Sequence, residues 1–197
     1  MTTSRNLLPA FQHNRYLFRR KFFKLFGGAF HIYDESGQLL FYSEQKAFRL
    51  REDLRVYADT SRQQELLTIK TPQILDFAAT YHVRDATSGE AVGAIRRKGL
   101  KSLVRDEWVL LSPEGFELGK MSEVSWGRAI LSRMLPLVPQ EYTITAREGH
   151  EVAHIEQHFN PFVLKYTMTI MEPEPAIDRR LLLATGILLA AIERRQE

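Results

Sequence analysis

The chain repeats one short unit. A run of β-branched or aromatic residues reaches a polar or glycine-containing turn and is followed by a second such run. Two runs joined in this way are typical of a β-hairpin. Five hairpins are predicted, with strand pairs at 29–34 and 38–43, 53–58 and 64–70, 80–85 and 90–97, 106–111 and 116–121, and 141–146 and 151–157. Further runs at 16–24 and 163–171 bring the total to about twelve short strands, as in an all-β barrel or sandwich.

Apolar and polar residues alternate within several of these runs. In 142–146 and in 166–170, the apolar side chains fall on one face and the threonines on the other. Such a strand buries one face against a core and exposes the other to water. No linker rich in Pro, Gly or Ser interrupts the pattern. One domain is therefore predicted for 15–197, preceded by an N-terminal extension at 1–14.

Two segments have the pattern of helices instead. In 125–135, apolar residues recur at helical spacing before Pro136. The C-terminal stretch would be apolar on every face of a helix from about 177 to 195, so protein or lipid must surround it. About twelve apolar residues give roughly 18 Å of helix, whereas a bilayer core needs roughly 30 Å. A helix buried in the domain core is therefore predicted, with no transmembrane span.

Composition narrows the class of protein. Apolar residues make up 44% of the chain, which is enough for a sizeable core. The absence of cysteine excludes disulfides, thiolate metal sites and a cysteine nucleophile. The N-terminus has no apolar run of the kind found in secretory signals, so a cytoplasmic location is expected. The net charge of +3 permits weak attraction to phosphates or anionic lipid without requiring it.

Four motifs, in this order, resemble those of a known family. They are Phe30 to Gly37, Gly149 to Ile155, Phe162 to Ile170, and Asp178 with the apolar run Leu181 to Ile192. The chain is similar to the tubby C-terminal, phospholipid scramblase and LURP-one-related superfamily over about residues 15–195. The resemblance implies a barrel of about twelve strands that encloses a hydrophobic C-terminal α-helix. It also implies phospholipid binding, since tubby-type barrels bind phosphoinositides through basic side chains on their surface.

A zinc-binding alternative comes from His150, Glu151 and His154, which match the H-E-x-x-H signature of metalloproteases. That chemistry needs a helix, where the two imidazoles share a face and Glu151 acts as the general base. Gly149 and the alternating strand before it favour a hairpin, in which the histidines would be about 13 Å apart. The leading interpretation therefore has no catalytic residue, metal or cofactor, and a zinc metallohydrolase stays open as an alternative.

Basic residues form two clusters. The residues predicted to bind lipid are Arg19, Arg20, Lys21 and Lys24 in the first cluster, and Arg96, Arg97, Lys98 and Lys101 in the second. Either cluster could hold the phosphates of a phospholipid headgroup or of nucleic acid. With the resemblance, the clusters predict a non-enzymatic adaptor or sensor, peripherally attached to a membrane through acidic phospholipid such as phosphoinositide. Nucleic-acid binding is a less favoured alternative, and a role confined to a protein partner is another.

Overall fold

The computed structural model describes residues 7–21, 28–45, 53–71, 79–98, 107–124, 140–158 and 163–192. They form twelve strands that close into one antiparallel barrel, in which each strand pairs with its neighbours in sequence and the last pairs with the first. The strands are β1 (Arg15–Lys21), β2 (Gly28–Tyr33), β3 (Leu39–Gln45), β4 (Asp53–Tyr57), β5 (Glu65–Lys70), β6 (Thr80–Asp85), β7 (Ala91–Arg97), β8 (Glu107–Leu111), β9 (Glu117–Glu123), β10 (Glu141–Ala146), β11 (Glu151–His158) and β12 (Val163–Ile170). A 3-10 helix (Pro9–Phe11) precedes the barrel, and an α-helix, α1 (Arg179–Ile192), follows it.

The barrel confirms the fold predicted from the sequence. All five predicted hairpins form, and their strand boundaries differ from the predicted ones by at most two residues. The alternation that predicted them has the expected physical cause, because side chains on one face of each strand enter the core. In β10, for example, Tyr142, Ile144 and Ala146 are buried and the threonines between them are partly exposed. The helix predicted for 125–135 lies outside the described residues.

The helix α1 occupies the interior of the barrel. Its side chains from Arg179 to Ala191 are buried, including the run of leucines that made the sequence apolar on every face. At Gly186 the helix comes close to β1 and β12, since a Cβ atom there would lie 2.9 Å from Phe18 Cζ and 3.3 Å from Met168 Sδ. The central helix predicted for about 177–195 is therefore confirmed, and its described part ends at Ile192.

Charged side chains fix the start of α1 to the barrel. The Asp178 carboxylate accepts a hydrogen bond from the backbone N–H of Arg180 at 2.9 Å, as an N-cap residue does. The guanidinium of Arg180 is buried and donates to Asp178 at 2.7 Å, to Asp85 at 2.8 Å and to Glu90 at 3.3 Å. Because Asp85 and Glu90 flank the turn between β6 and β7, one buried cation ties the helix start to the barrel wall.

A second arginine ties the helix to the residues that precede β1. Arg179 donates to the carbonyl oxygen of His13 at 2.8 Å and to the side-chain oxygen of Asn14 at 2.7 Å. Just before them, Phe11 is buried, and its ring centroid is 4.9 Å from that of Phe41. Part of the segment predicted as an N-terminal extension thus packs against the barrel core.

The antiparallel order of the strands defines two ends of the barrel. Even-numbered strands finish at one end, which we call the turn end. Its connections are 34–38, 58–64, 86–90, 112–116, 147–150 and the link 171–178 to α1. Odd-numbered strands finish at the opposite end, which we call the exit end, because antiparallel neighbours run in alternating directions.

Candidate functional site

The described residues of both predicted basic clusters lie toward the exit end, because β1 and β7 are odd-numbered strands and these residues stand where the two strands finish. Five strands separate β1 from β7 in either direction round the barrel, so the clusters are on opposite walls. A barrel of this many strands is roughly 24 Å across. The fold therefore brings the described residues of the two clusters to one end of the barrel but not into one pocket.

The alternation of β1 divides the first cluster between the two faces of the wall. Arg19 points outward and is exposed, and its guanidinium lies 5.1 Å from the ring centroid of Tyr33. Arg20 points into the barrel and is 6% exposed, with its guanidinium 4.7 Å from the ring centroid of Phe30. Of these two arginines, Arg19 is the one placed to meet a ligand at the outer surface.

The second cluster is divided in the same way. Arg96 is exposed on the outer face, and in the described ranges no acidic side chain forms an ion pair with it. Arg97 lies 5.5 Å from the ring centroid of the buried Trp108. Lys98 lies 2.7 Å from a carboxylate oxygen of Glu107, and this hydrogen bond raises the pKa of Lys98. The remaining predicted positions, which are the Lys21 side chain, Lys24 and Lys101, lie outside the described part of the chain.

Sequence reasoning missed Lys165, which closure of the barrel places beside Arg19. The two residues are Cα partners in the pairing of β1 with β12, and both side chains point outward. Within the described residues, neither has an acidic side chain at ion-pair distance, whereas the neighbouring Arg15 lies 3.6 Å from Glu35. The resemblance to a closed barrel could have predicted this pair, because a closed barrel places its last strand next to its first.

Cross-strand pairing extends this row of outward side chains over three more strands. Arg19 lies opposite His31, and His31 lies opposite Tyr42. Tyr42 in turn lies opposite Tyr57. The His31 ring centroid is 5.2 Å from that of Tyr42 and 6.2 Å from that of Tyr33, and all four aromatic side chains are half-buried. We call this set the aromatic wall, and its members are Lys165, Arg19, His31, Tyr33, Tyr42 and Tyr57.

The H-E-x-x-H motif does not form a helix. His150 lies in a turn, and Glu151–His158 forms strand β11. His150 lies 3.4 Å from Glu172, and His154 lies 3.3 Å from Glu151, so each imidazole faces its own carboxylate. No three histidine, aspartate or glutamate side chains of the described residues are grouped closely enough to hold a metal ion. The zinc metallohydrolase alternative is corrected here, because the motif is extended where that chemistry requires a helix.

Charge separates the two ends of the barrel. The connections at the turn end contain many acidic residues and few basic ones. The acidic residues are Asp34, Glu35, Asp59, Glu90, Glu114, Glu148, Glu172, Glu174 and Asp178, and the basic ones are Arg62 and Arg147. Arg15 and Arg180 pair with three of these acidic residues, Glu35, Glu90 and Asp178, and the other six still outnumber Arg62 and Arg147. Because the whole chain has a net charge of +3, the rest of it is net positive. An anionic surface repels the acidic turn end, so this charge distribution favours an orientation in which the turn end faces away from such a surface.

Comparison with known proteins agrees with this architecture. A family model described as LURP-one-related matches residues 15–190, a range that takes in all twelve strands and most of α1. The comparison with curated protein sequences gave no match. Among the described residues, no helix has the length and apolar character needed to cross a membrane.

Proposed function

Because the chain belongs to the LURP-one-related family, we propose that it is a non-enzymatic adaptor or sensor that binds acidic phospholipid at a membrane surface through the exit end of its barrel. The observation that supports this proposal is the separation of charge between an acidic turn end and an exit end toward which the described residues of both basic clusters lie. The position of α1 supports a role without catalysis, since the helix occupies the interior where a barrel enzyme would hold its substrate.

The placement of Arg19 and Arg96 favours a bilayer over a single soluble headgroup as the ligand. These side chains are exposed near the same end of the barrel but on opposite walls. A flat surface laid across the exit end meets both walls, whereas a single phosphate meets one. Each cation near an anionic leaflet contributes about 1 kcal/mol. A few such contacts give weak, reversible attachment that is sensitive to salt.

The test is co-sedimentation with liposomes of phosphatidylcholine alone, with added phosphatidylserine, and with added phosphoinositide, near physiological salt. The double variant Arg19→Glu/Arg96→Glu should bind anionic liposomes at least about tenfold more weakly, because it reverses two charges at the contact surface. The matched control is Arg84→Glu/Arg147→Glu. It makes the same charge change at exposed side chains near the turn end and should bind within about twofold of the unaltered protein.

The single variants test how the barrel is oriented on the membrane. End-on attachment predicts that Arg19→Glu and Arg96→Glu each weaken binding, whereas attachment by one wall predicts that only one of them does.

Equal loss in the turn-end control would mean that net charge alone governs binding and that the exit end has no special role. No binding to any anionic liposome at low salt would show that the proposal is wrong. Steeply salt-dependent binding to a single-stranded oligonucleotide in that case would favour nucleic acid as the ligand.

A further inference from the structure

The aromatic wall lies on the side of the barrel and extends toward the turn end. Tyr33 and Tyr57 are the last residues of β2 and β4, and both strands finish at the turn end. If the exit end rests on a membrane, this wall stands upright above the bilayer. Its aromatic side chains are therefore accessible from solution while the barrel is attached, whereas Arg19 lies where the wall meets the exit end and is shared by the two surfaces.

The composition of the wall is that of a protein-binding surface. Tyrosine and arginine are, together with tryptophan, the residue types enriched at the positions that contribute most of the binding energy in protein interfaces. The ring of His31 already contacts those of Tyr33 and Tyr42, so these side chains have less conformational freedom to lose on binding. Leu17 and Leu39, which lie opposite Tyr33 on either side and are half-buried, widen the apolar part of the surface.

The closed barrel restricts how a partner can bind. Each described strand is paired on both sides, so no strand edge is available in this part of the chain for a partner to extend the sheet. A partner must instead contact side chains on the outer face. The row from β12 to β4 offers such a face over five neighbouring strands.

The charge of the wall selects the partner. Arg19 and Lys165 stand side by side without an acidic partner among the described residues. The nearby carboxylate of Glu65 lies 2.9 Å from Arg55 and is thereby neutralised. From this uncompensated positive charge beside a strip of aromatic rings, we propose that the aromatic wall docks an acidic segment of a partner protein, with the partner's apolar side chains on the tyrosines and its carboxylates on Arg19 and Lys165. This inference goes beyond membrane binding and does not depend on it.

The experiment selects ligands from a display pool of random short peptides against the full chain, with counter-selection against Tyr42→Ala/Tyr57→Ala. Enriched peptides should combine glutamate or aspartate with leucine or aromatic residues. A synthetic copy of one such peptide should lose roughly tenfold or more in affinity for Tyr42→Ala/Tyr57→Ala and for Arg19→Glu/Lys165→Glu. The second variant changes outward cationic side chains, so it tests the surface even if the tyrosine variant is poorly folded. The matched control is Phe116→Ala, which removes an aromatic side chain that is 68% exposed elsewhere on the barrel and should leave affinity within about twofold.

Three results would overturn the inference. The first is a failure to enrich any peptide, the second is enrichment of basic or neutral peptides, and the third is equal affinity for the wall variants. Loss of liposome binding in Tyr42→Ala/Tyr57→Ala, with no peptide enriched, would instead make the wall a membrane contact. Peptide binding by a protein that binds no liposome would leave the docking surface standing and remove the membrane proposal.

Discussion

At the scale of single residues, Arg180 holds the helix to the wall with one buried charge. Replacing it with methionine keeps most of the side-chain volume but leaves Asp85 and Asp178 without their cation. Removing one partner of a buried ion pair costs about 3 kcal/mol or more, because the remaining charges are left uncompensated. Urea unfolding of Arg180→Met should show this loss. Arg84→Met, at an exposed position, should change the free energy of unfolding by less than about 0.5 kcal/mol, and a similar loss in both variants would contradict the assignment.

The same ion pair makes stability depend on pH through Asp85. Burial raises the pKa of this carboxyl, but hydrogen bonds from Thr87 and Arg180 outweigh burial and lower it from 3.8 to about 2. A carboxyl whose pKa is lower in the folded state stabilises the fold above its unfolded pKa and ceases to do so as pH falls through the folded value. The free energy of unfolding should therefore drop between about pH 4 and about pH 2. Urea titrations across this window should show a shallower drop for Asp85→Asn, and parallel curves would refute the prediction.

The direction of several side chains could be read from the sequence, but their partners could not. Alternation in β1 implies that Arg19 and Arg20 face opposite sides, so the burial of Arg20 follows from its neighbours. The ion pair between Arg180 and Asp85 joins residues far apart in the chain, and no local pattern indicates it. The position of Lys165 beside Arg19 could not be predicted from a local pattern for the same reason, since it depends on closure of the whole barrel.

At the scale of elements, the fit of α1 depends on Gly186. Leucine at this position would favour the helix by about 1 kcal/mol in isolation, since glycine is a poor helix former. In the barrel its first side-chain carbon would meet the buried ring of Phe18 at 2.9 Å. Such overpacking typically costs about 1–3 kcal/mol, so Gly186→Leu should lower the melting temperature. An increase in melting temperature would mean that helix propensity outweighs the contact with β1.

Elements were predicted well because each carries its own signal. The strand periodicity of 142–146 and the all-apolar run of α1 are local, and the fold obeys both. The H-E-x-x-H motif illustrates the opposite case, since the same letters suit a helix or a strand. In this chain the motif is extended, because β11 pairs with β10 and β12 along its length.

At the scale of the whole molecule, the barrel depends on its central helix for a core. A chain that ends after Pro175 lacks the buried side chains of Leu181, Leu182, Leu183, Ile187, Leu188 and Leu189. Their burial contributes on the order of 10 kcal/mol, which is comparable to the total stability of a typical domain at about 5–15 kcal/mol. The truncated chain should therefore show no cooperative thermal unfolding and no fixed near-ultraviolet circular dichroism. A control chain that ends after Ile192 should retain both signals, and a cooperative transition in the shorter chain would show that the strands form a core without α1.

The pairing of β1 with β12 also sets the order of events during synthesis. During translation β1 emerges from the ribosome first, whereas β12, which pairs with β1, and the helix α1, which fills the interior, are the last parts of the barrel to emerge. Until then, eleven strands with apolar inner faces have neither a closed ring nor a core to cover them. Proteins in which most contacts join residues far apart in sequence fold slowly. Their incompletely folded forms expose apolar surface that is prone to aggregation. A nascent chain stalled before Val163 should accordingly remain sensitive to protease and dependent on chaperones, and resistance should appear only once α1 has left the ribosomal tunnel.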